Sequence, residues 1–268
     1  MTSSASPLEK LAREVPPEGR ILDAGGWFKP SAFATHVIDL LPWETRGARL
    51  QLSVQPEERF TRESWFQANF LAPEFRMPYP DGYFDLSICT HTLEDLPDPL
   101  PLIGELQRVA RAGYIEVPSR ASEQTVGIRD RRTTRCGHPH HHWIIDRVGD
   151  NGLRFCNKAD SFAGPPATVV IPLTVFERQV ARGILHWNTH LVWKGGFDVE
   201  VVRGQDAYTL AVACCSELRI LALERWSDRL WRTCRRLRQT WRNRRTNVRT
   251  DEEWWREILA LECALQHD

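Results

Sequence analysis

Arg20-Ile-Leu-Asp-Ala-Gly-Gly26 followed by His36-Val-Ile-Asp-Leu-Leu41 decides the fold. The first segment is a short apolar run that closes in a glycine pair, as a buried strand entering a tight turn does. The second is another apolar run carrying one acid, Asp39. Only 16 positions separate Asp23 from Asp39, so any crossover helix between these strands must be short or replaced by a loop. Glycine lets a backbone approach a ligand closely. An acid ending the second strand can accept both hydroxyl hydrogens of a ribose. The turn is not G-x-G-x-x-G, which argues against a dinucleotide pyrophosphate site.

Working outward, Leu8–Glu14 reads as a helix ended by Pro16-Pro17, and Trp65–Phe70 as a third strand. Phe84–Cys89 and Gly113–Pro118 read as a fourth and a fifth strand, and Asp98–Ala110 between them has helical apolar spacing. Residues 120–165 are rich in Arg, His and Gly and read as a long insertion. The stretches 167–176, 197–203 and 207–215 read as further strands, and 217–245 and 251–265 as helices. Strands alternating with helices or loops predict α/β with a mostly parallel sheet, whose ligands bind beyond the carboxyl ends of the strands. The expected division is residues 1–216 as one domain and 217–268 as a basic, Trp-rich helical extension.

Composition narrows the classes. The formal net charge is zero, so no global field selects nucleic acid or membrane, and no apolar run reaches the roughly 20 residues that span a bilayer. No secretory signal is visible at the start, and seven Cys without a CxxC pair suit a reducing cytoplasm. From Glu217 to Thr250 there are eleven Arg and three acids, with Leu223, Leu230 and Leu237 at heptad spacing. That face suits packing on the core or in a homodimer, an anionic small molecule, or peripheral membrane contact. Nothing else in the chain supports nucleic acid.

The segments ILDAGGW, THVIDLLP, MPYPDGYFDLSICTHTLEDLPDP and ELQRVARAGYIEVPSR occur in the order of the class I S-adenosylmethionine (SAM)-dependent methyltransferases. They resemble most the methyltransferase type 11 group, over about residues 20–120. The resemblance implies a Rossmann-like core and SAM as cofactor. It implies that Asp23, Gly25 and Gly26 sit at the methionine end, and that Asp39, with Leu40 beside it, binds the ribose. Asn69 would face the adenine amino group with Phe70 beside the ring, and Thr90 and His91 would lie near the sulfonium. The first motif departs from the family's G-x-G-x-G, being Gly-Gly-Trp-Phe-Lys-Pro, with Trp27 and Pro30 placed to cover the cofactor.

Arg135-Cys-Gly-His-Pro-His-His-His-Trp143 is the sharpest local feature, and it resembles an HHRW motif of some methyltransferase-like proteins. Three readings stay open: acceptor-orienting or general-base histidines, a metal site using two histidines with Glu116 or Glu123, and a polar loop with one packed histidine. In an extended segment neighbouring side chains point to opposite faces, which works against four histidines meeting one ion. The expected catalytic set is therefore His141 and His142 with Glu116 or Glu123 as helper, and no metal is assigned. His186 and His190, in HWNTH, lack the Glu of a zinc HExxH motif and read as core or surface histidines. The function expected is SAM-dependent methyl transfer to a small molecule such as a sugar, nucleotide or secondary metabolite. Two alternatives are the same fold with non-methylating chemistry, for instance on a nucleotide-sugar, and a non-enzymatic interaction scaffold.

Overall fold

The computed structural model describes residues 6–46, 58–129 and 135–219. The arginine-rich extension beyond residue 219 lies outside the described residues.

The elements are, in chain order, α1 (Pro7–Glu14), β1 (Ile21–Ala24), β2 (His36–Asp39), β3 (Trp65–Gln67), β4 (Leu86–Thr90), α2 (Leu100–Val109) and β5 (Ala112–Pro118). Then follow α3 (Arg120–Glu123), β6 (Thr125–Val126), β7 (Trp143–Val148), β8 (Gly152–Asn157), α4 (Lys158–Ser161) and α5 (Pro166–Val169). The last are β9 (Ile171–Pro172), α6 (Leu173–Ala181), β10 (Asn188–Lys194), β11 (Asp198–Val202) and α7 (Gly204–Arg219).

Six strands form the main sheet in the order β10-β5-β4-β1-β2-β3. All pairings are parallel except β10 against β5. The order reverses between β1 and β4, which is the switch point where an open α/β sheet receives ligands. This is a Rossmann-like core, as the two glycine- and acid-bearing strands predict.

Strand parity explains the two cores. Ile21, Leu86 and Ile88 point to one face and pack with Ala12 of α1. Leu22, Ala24 and Cys89 point to the other and pack with Leu102, Ile103, Leu106 and Val109 of α2. These four α2 residues recur at helical spacing, and burying each contributes about 1.5–3 kcal/mol. Between β1 and β2 there is no helix. The chain from Gly25 to Thr35 runs as bends and turns, as the short spacing demands.

The insertion is folded. β7 and β8 form an antiparallel hairpin around Gly149–Asn151, and β11 adds in parallel to β8. Trp143, Ile145, Leu153 and Phe155 face the main core, while Ile144 and Cys156 face Ala207 of α7. Two expected strands are corrected. Residues 207–215 lie within α7, and 167–176 are mostly α5 and α6 with only Ile171–Pro172 extended. Both are small-residue or β-branched apolar runs whose tertiary burial, not local propensity, settles the state. The expected strand at 197–203 is present as β11. Among the described residues no helix is long and apolar enough to cross a membrane.

Candidate functional site

The carboxyl ends of β1, β2, β4 and β5 bring together Asp23, Asp39, Thr90, His91 and Glu116. A cavity of about 310 Å³ opens between β1 and β4, lined by Asp23, Thr90, Ile88 and the loop Lys29–Ala32. It lies on the α1 face, under the loop that replaces the crossover helix.

Asp23 is the buried polar group of this cavity. Its Oδ2 accepts the Ser31 N–H at 2.7 Å, while Oδ1 is buried with no hydrogen-bond partner among the described residues. Burial first, and the neighbouring Asp39 charge as well, push its pKa up to about 7. Asp39, also buried, accepts the Trp27 N–H on Oδ2 at 3.0 Å and the Leu41 N–H on Oδ1 at 2.9 Å. The carboxylate at the end of β2 is thus oriented by the backbone of the glycine turn itself.

Gly25 has φ +81°, and a Cβ there would stand 2.0 Å from Thr92 Oγ1. Only glycine fits, because the loop after β4 closes directly onto the turn. Gly26 lies where a Cβ would be 2.9 Å from the Asp23 carboxylate. Trp27 is buried with Val37, Phe60 and Trp65, and its Nε1 donates to Thr45 Oγ1. The ring is thus packed into a core cluster beside the glycine turn. Phe70 packs in the main core 5.4 Å from Phe75, and Asn69 Oδ1 accepts the N–H of Leu71. The Phe70 ring and the Asn69 carbonyl are therefore engaged by protein. The Leu40 backbone carbonyl accepts from Gln67 Nε2.

His91 follows β4 at φ 53°, a conformation uncommon outside glycine. Its Nδ1 lies 3.3 Å from Glu94 and its Nε2 3.6 Å from Glu116. Burial works against its charge, but hydrogen bonds to Glu116 and Glu94 outweigh it and raise the imidazole to about 10. Glu116 is held down to about 2, chiefly by His91, with Tyr114 and Asn188 also donating to it. Glu116 therefore belongs to His91, not to the histidine loop.

His141 is buried, with Nδ1 2.8 Å from Glu123 Oε1, while His142 is exposed and donates its backbone N–H to the Glu94 carbonyl. Lys158 holds the other Glu123 oxygen. His138, His140 and His141 come together, with their ligand atoms within 4.8 Å of one another. Burial first holds His138 down to about 4 and His140 to about 2, so both are neutral. His190 stacks on Tyr114 and the His186 carbonyl accepts from Ser119, placing HWNTH in structural contacts. Sequence reasoning missed Glu94, Asp95 and Asn188. The first two stand in the quoted LED stretch, but nothing local marks Asn188.

The fold is that of a class I methyltransferase core. A family model described as a methyltransferase domain, the type 11 group, matches residues 38–115, which carry a SAM-dependent methyltransferase domain of that class. The match ends before the histidine segment. No curated protein sequence matches the chain. Among solved structures, a SAM-dependent methyltransferase of Thermotoga maritima is 15% identical, with 45% of this chain and 53% of that one covered and a TM-score of 0.30. The chain thus spans about half the length of that protein. A SAM-dependent methyltransferase of Mesorhizobium loti is 15% identical over 79% of this chain and 80% of that one, TM-score 0.31. One of Aquifex aeolicus is 20% identical over 42% and 64%, TM-score 0.27. Likenesses this weak carry no weight, and the assignment rests on sheet order and the family match.

The residues fit SAM at its amino-acid end. A buried carboxylate oxygen without a partner, on a residue that lines the cavity, is a counter-charge for an ammonium group. At the ribose end the fit is one of position: Asp39 stands fixed beside the glycine turn.

Proposed function

We propose that the protein transfers a methyl group from SAM to a small molecule bearing a hydroxyl or amine. The observation that carries this reading is Asp23 Oδ1, buried without a partner at the switch-point cavity. When bound, SAM supplies an electrophilic methyl on a sulfonium. The chain's part is placement. Asp23 pairs with the ammonium of the amino-acid moiety, and Asp39 with the ribose hydroxyls. Thr90, at the end of β4, forms part of the cavity wall.

On the acceptor side, Glu116 accepts hydrogen bonds from His91, Tyr114 and Asn188. Held at about 2, it is too weak a base to take a proton from a hydroxyl near neutral pH. Its role is to orient the acceptor, and His91 fixes the position of its carboxylate. Orientation is enough to supply much of the rate in an in-line displacement, and the proton that the acceptor loses passes to solvent. This moves acceptor handling from His141 and His142 to the His91–Glu116 pair.

Calorimetry of the folded chain with SAM and with its demethylated product tests the proposal. Binding of both is expected, with Asp39→Ala weakening it at least tenfold. No binding by the wild type refutes the reading. An unchanged affinity in the variant shows that Asp39 does not hold the cofactor.

A further inference from the structure

The histidine segment is built by a turn, not by the extended backbone its sequence suggested. His138-Pro139-His140-His141 closes through the His141 N–H on the His138 carbonyl at 3.2 Å. Pro139 occupies the second turn position, where its fixed φ is favourable. The turn stacks His138 on His141 with ring centroids 4.6 Å apart and sets His140 edge-on to His141 at 4.5 Å. Gly137, at φ 56°, lets the chain pass over Glu123, since a Cβ there would lie 2.4 Å from Glu123 Oε2. The segment is anchored at both sides. Gly137 donates to Thr125, His142 donates to Glu94, and the His142 carbonyl accepts from Lys158.

Above the turn lies Asp95. Its Oδ1 is buried and has no hydrogen bond among the described residues. Nevertheless, His140 Nε2 stands 3.4 Å away and His141 Nε2 3.5 Å away. Neighbouring ligands on a tetrahedral zinc with bonds near 2.0 Å are about 3.3 Å apart. The two imidazoles already stand at that spacing from the carboxylate. His141 also has the orienting partner usual for metal-bound histidine. Its Nδ1 faces Glu123, which leaves Nε2 directed at Asp95. Lys158 in turn fixes Glu123. Arg129 faces His140 Nδ1 at 3.1 Å and has to withdraw when Nε2 binds a cation.

We propose that His138, His140, His141 and Asp95 form a tetrahedral zinc site that pins the histidine turn to the loop after β4. Three nitrogens and one oxygen make a closed set, as structural zinc sites have, with no position left for water. The loop so pinned carries His91 and Glu94, so the metal would hold the rim of the candidate active site without joining the reaction.

The test uses the full chain, freed of any polyhistidine tag and stripped with a chelator. Zn²⁺ content after equilibration is measured by mass spectrometry, and Co²⁺ is titrated with its visible absorption as readout. One equivalent of Zn²⁺ and an intense tetrahedral Co²⁺ spectrum are expected, together with a rise in melting temperature. His140→Gln and Asp95→Asn should each weaken Co²⁺ binding at least tenfold while keeping the far-ultraviolet circular dichroism of the wild type. Absence of stoichiometric binding by the wild type overturns the proposal. So does undiminished binding by both variants, or a weak octahedral spectrum. Should one variant fail to fold, the other decides. None of these readouts involves SAM, so the site and the proposed activity fail or stand separately.

Discussion

Replacing Asp23 with asparagine keeps the shape of the side chain and removes its charge at the base of the cavity. In the folded protein the carboxyl is raised from 3.8 to about 7, so it binds a proton over a pH range where the unfolded chain has released it. A raised carboxyl makes stability fall as pH climbs from about 4 to about 7 and level off above. The difference of about 3 pKa units, at 1.36 kcal/mol each, sets the full cost of the ionised form at about 4 kcal/mol. Between pH 5 and pH 8 the variant should gain about 2–3 kcal/mol on the wild type. The Ser31 N–H keeps an acceptor, because the asparagine Oδ1 replaces the carboxylate oxygen. Urea unfolding of both proteins at the two pH values reads this directly, and effects of other titrating groups cancel in the comparison. The same change should weaken SAM binding at least tenfold at pH 8, since an ammonium loses its counter-charge. Stability and ligand affinity thus move in opposite directions, as they do where a strained site serves function. A gap that does not change with pH would show that Asp23 is not held protonated. An unchanged affinity would show that the ammonium lies elsewhere.

Three further outcomes are expected. Gly25→Ala combines positive φ with a Cβ 2.0 Å from Thr92 Oγ1, and should cost at least about 2 kcal/mol in chemical denaturation; a neutral result would mean that the turn rearranges freely. The His91 imidazole should stay protonated up to about pH 10 in an NMR titration. Its contribution to stability is then complete below about pH 6.5 and is lost as pH rises through 10; titration near 6.5 would break the assigned pairing with Glu94 and Glu116. Leu102→Ala removes a fully buried side chain between α2 and the sheet, and should cost about 2–5 kcal/mol by the same denaturation assay; a loss under about 1 kcal/mol would place α2 outside the cooperative core.

The parts of the fold that could be read from sequence are those where burial is nearly complete on both faces. β1 and β4 are short continuous apolar runs because α1 covers one side and α2 the other. The hairpin of β7 and β8 is hidden by the surrounding Arg and His, although Gly149-Asp150-Asn151-Gly152 between two half-apolar runs is itself a turn signal. Ala207–Cys215 reads as a strand because it is rich in small and apolar residues, yet it is part of α7. The length of that helix and the acid Asp206 in its first turn are the better guide.

The histidines show why site residues are harder to read than strands. Their sequence adjacency, taken with a period of two, argues that they diverge. The single proline at 139 reverses that conclusion, because a turn places residues one and three positions apart on one side. The partners that give the cluster its chemistry come from elsewhere: Asp95 from the loop after β4, Glu123 from α3 and Lys158 from α4. Spacing along the chain cannot supply those contacts. They follow from the insertion folding back over the rim of the sheet. The same holds for Glu116, whose neighbours His91 and Asn188 are brought to it by parallel β4 and antiparallel β10. A carboxylate assigned to the nearest histidines in sequence is thereby claimed by a different one in space, and the chemistry open to it changes from base to anchor.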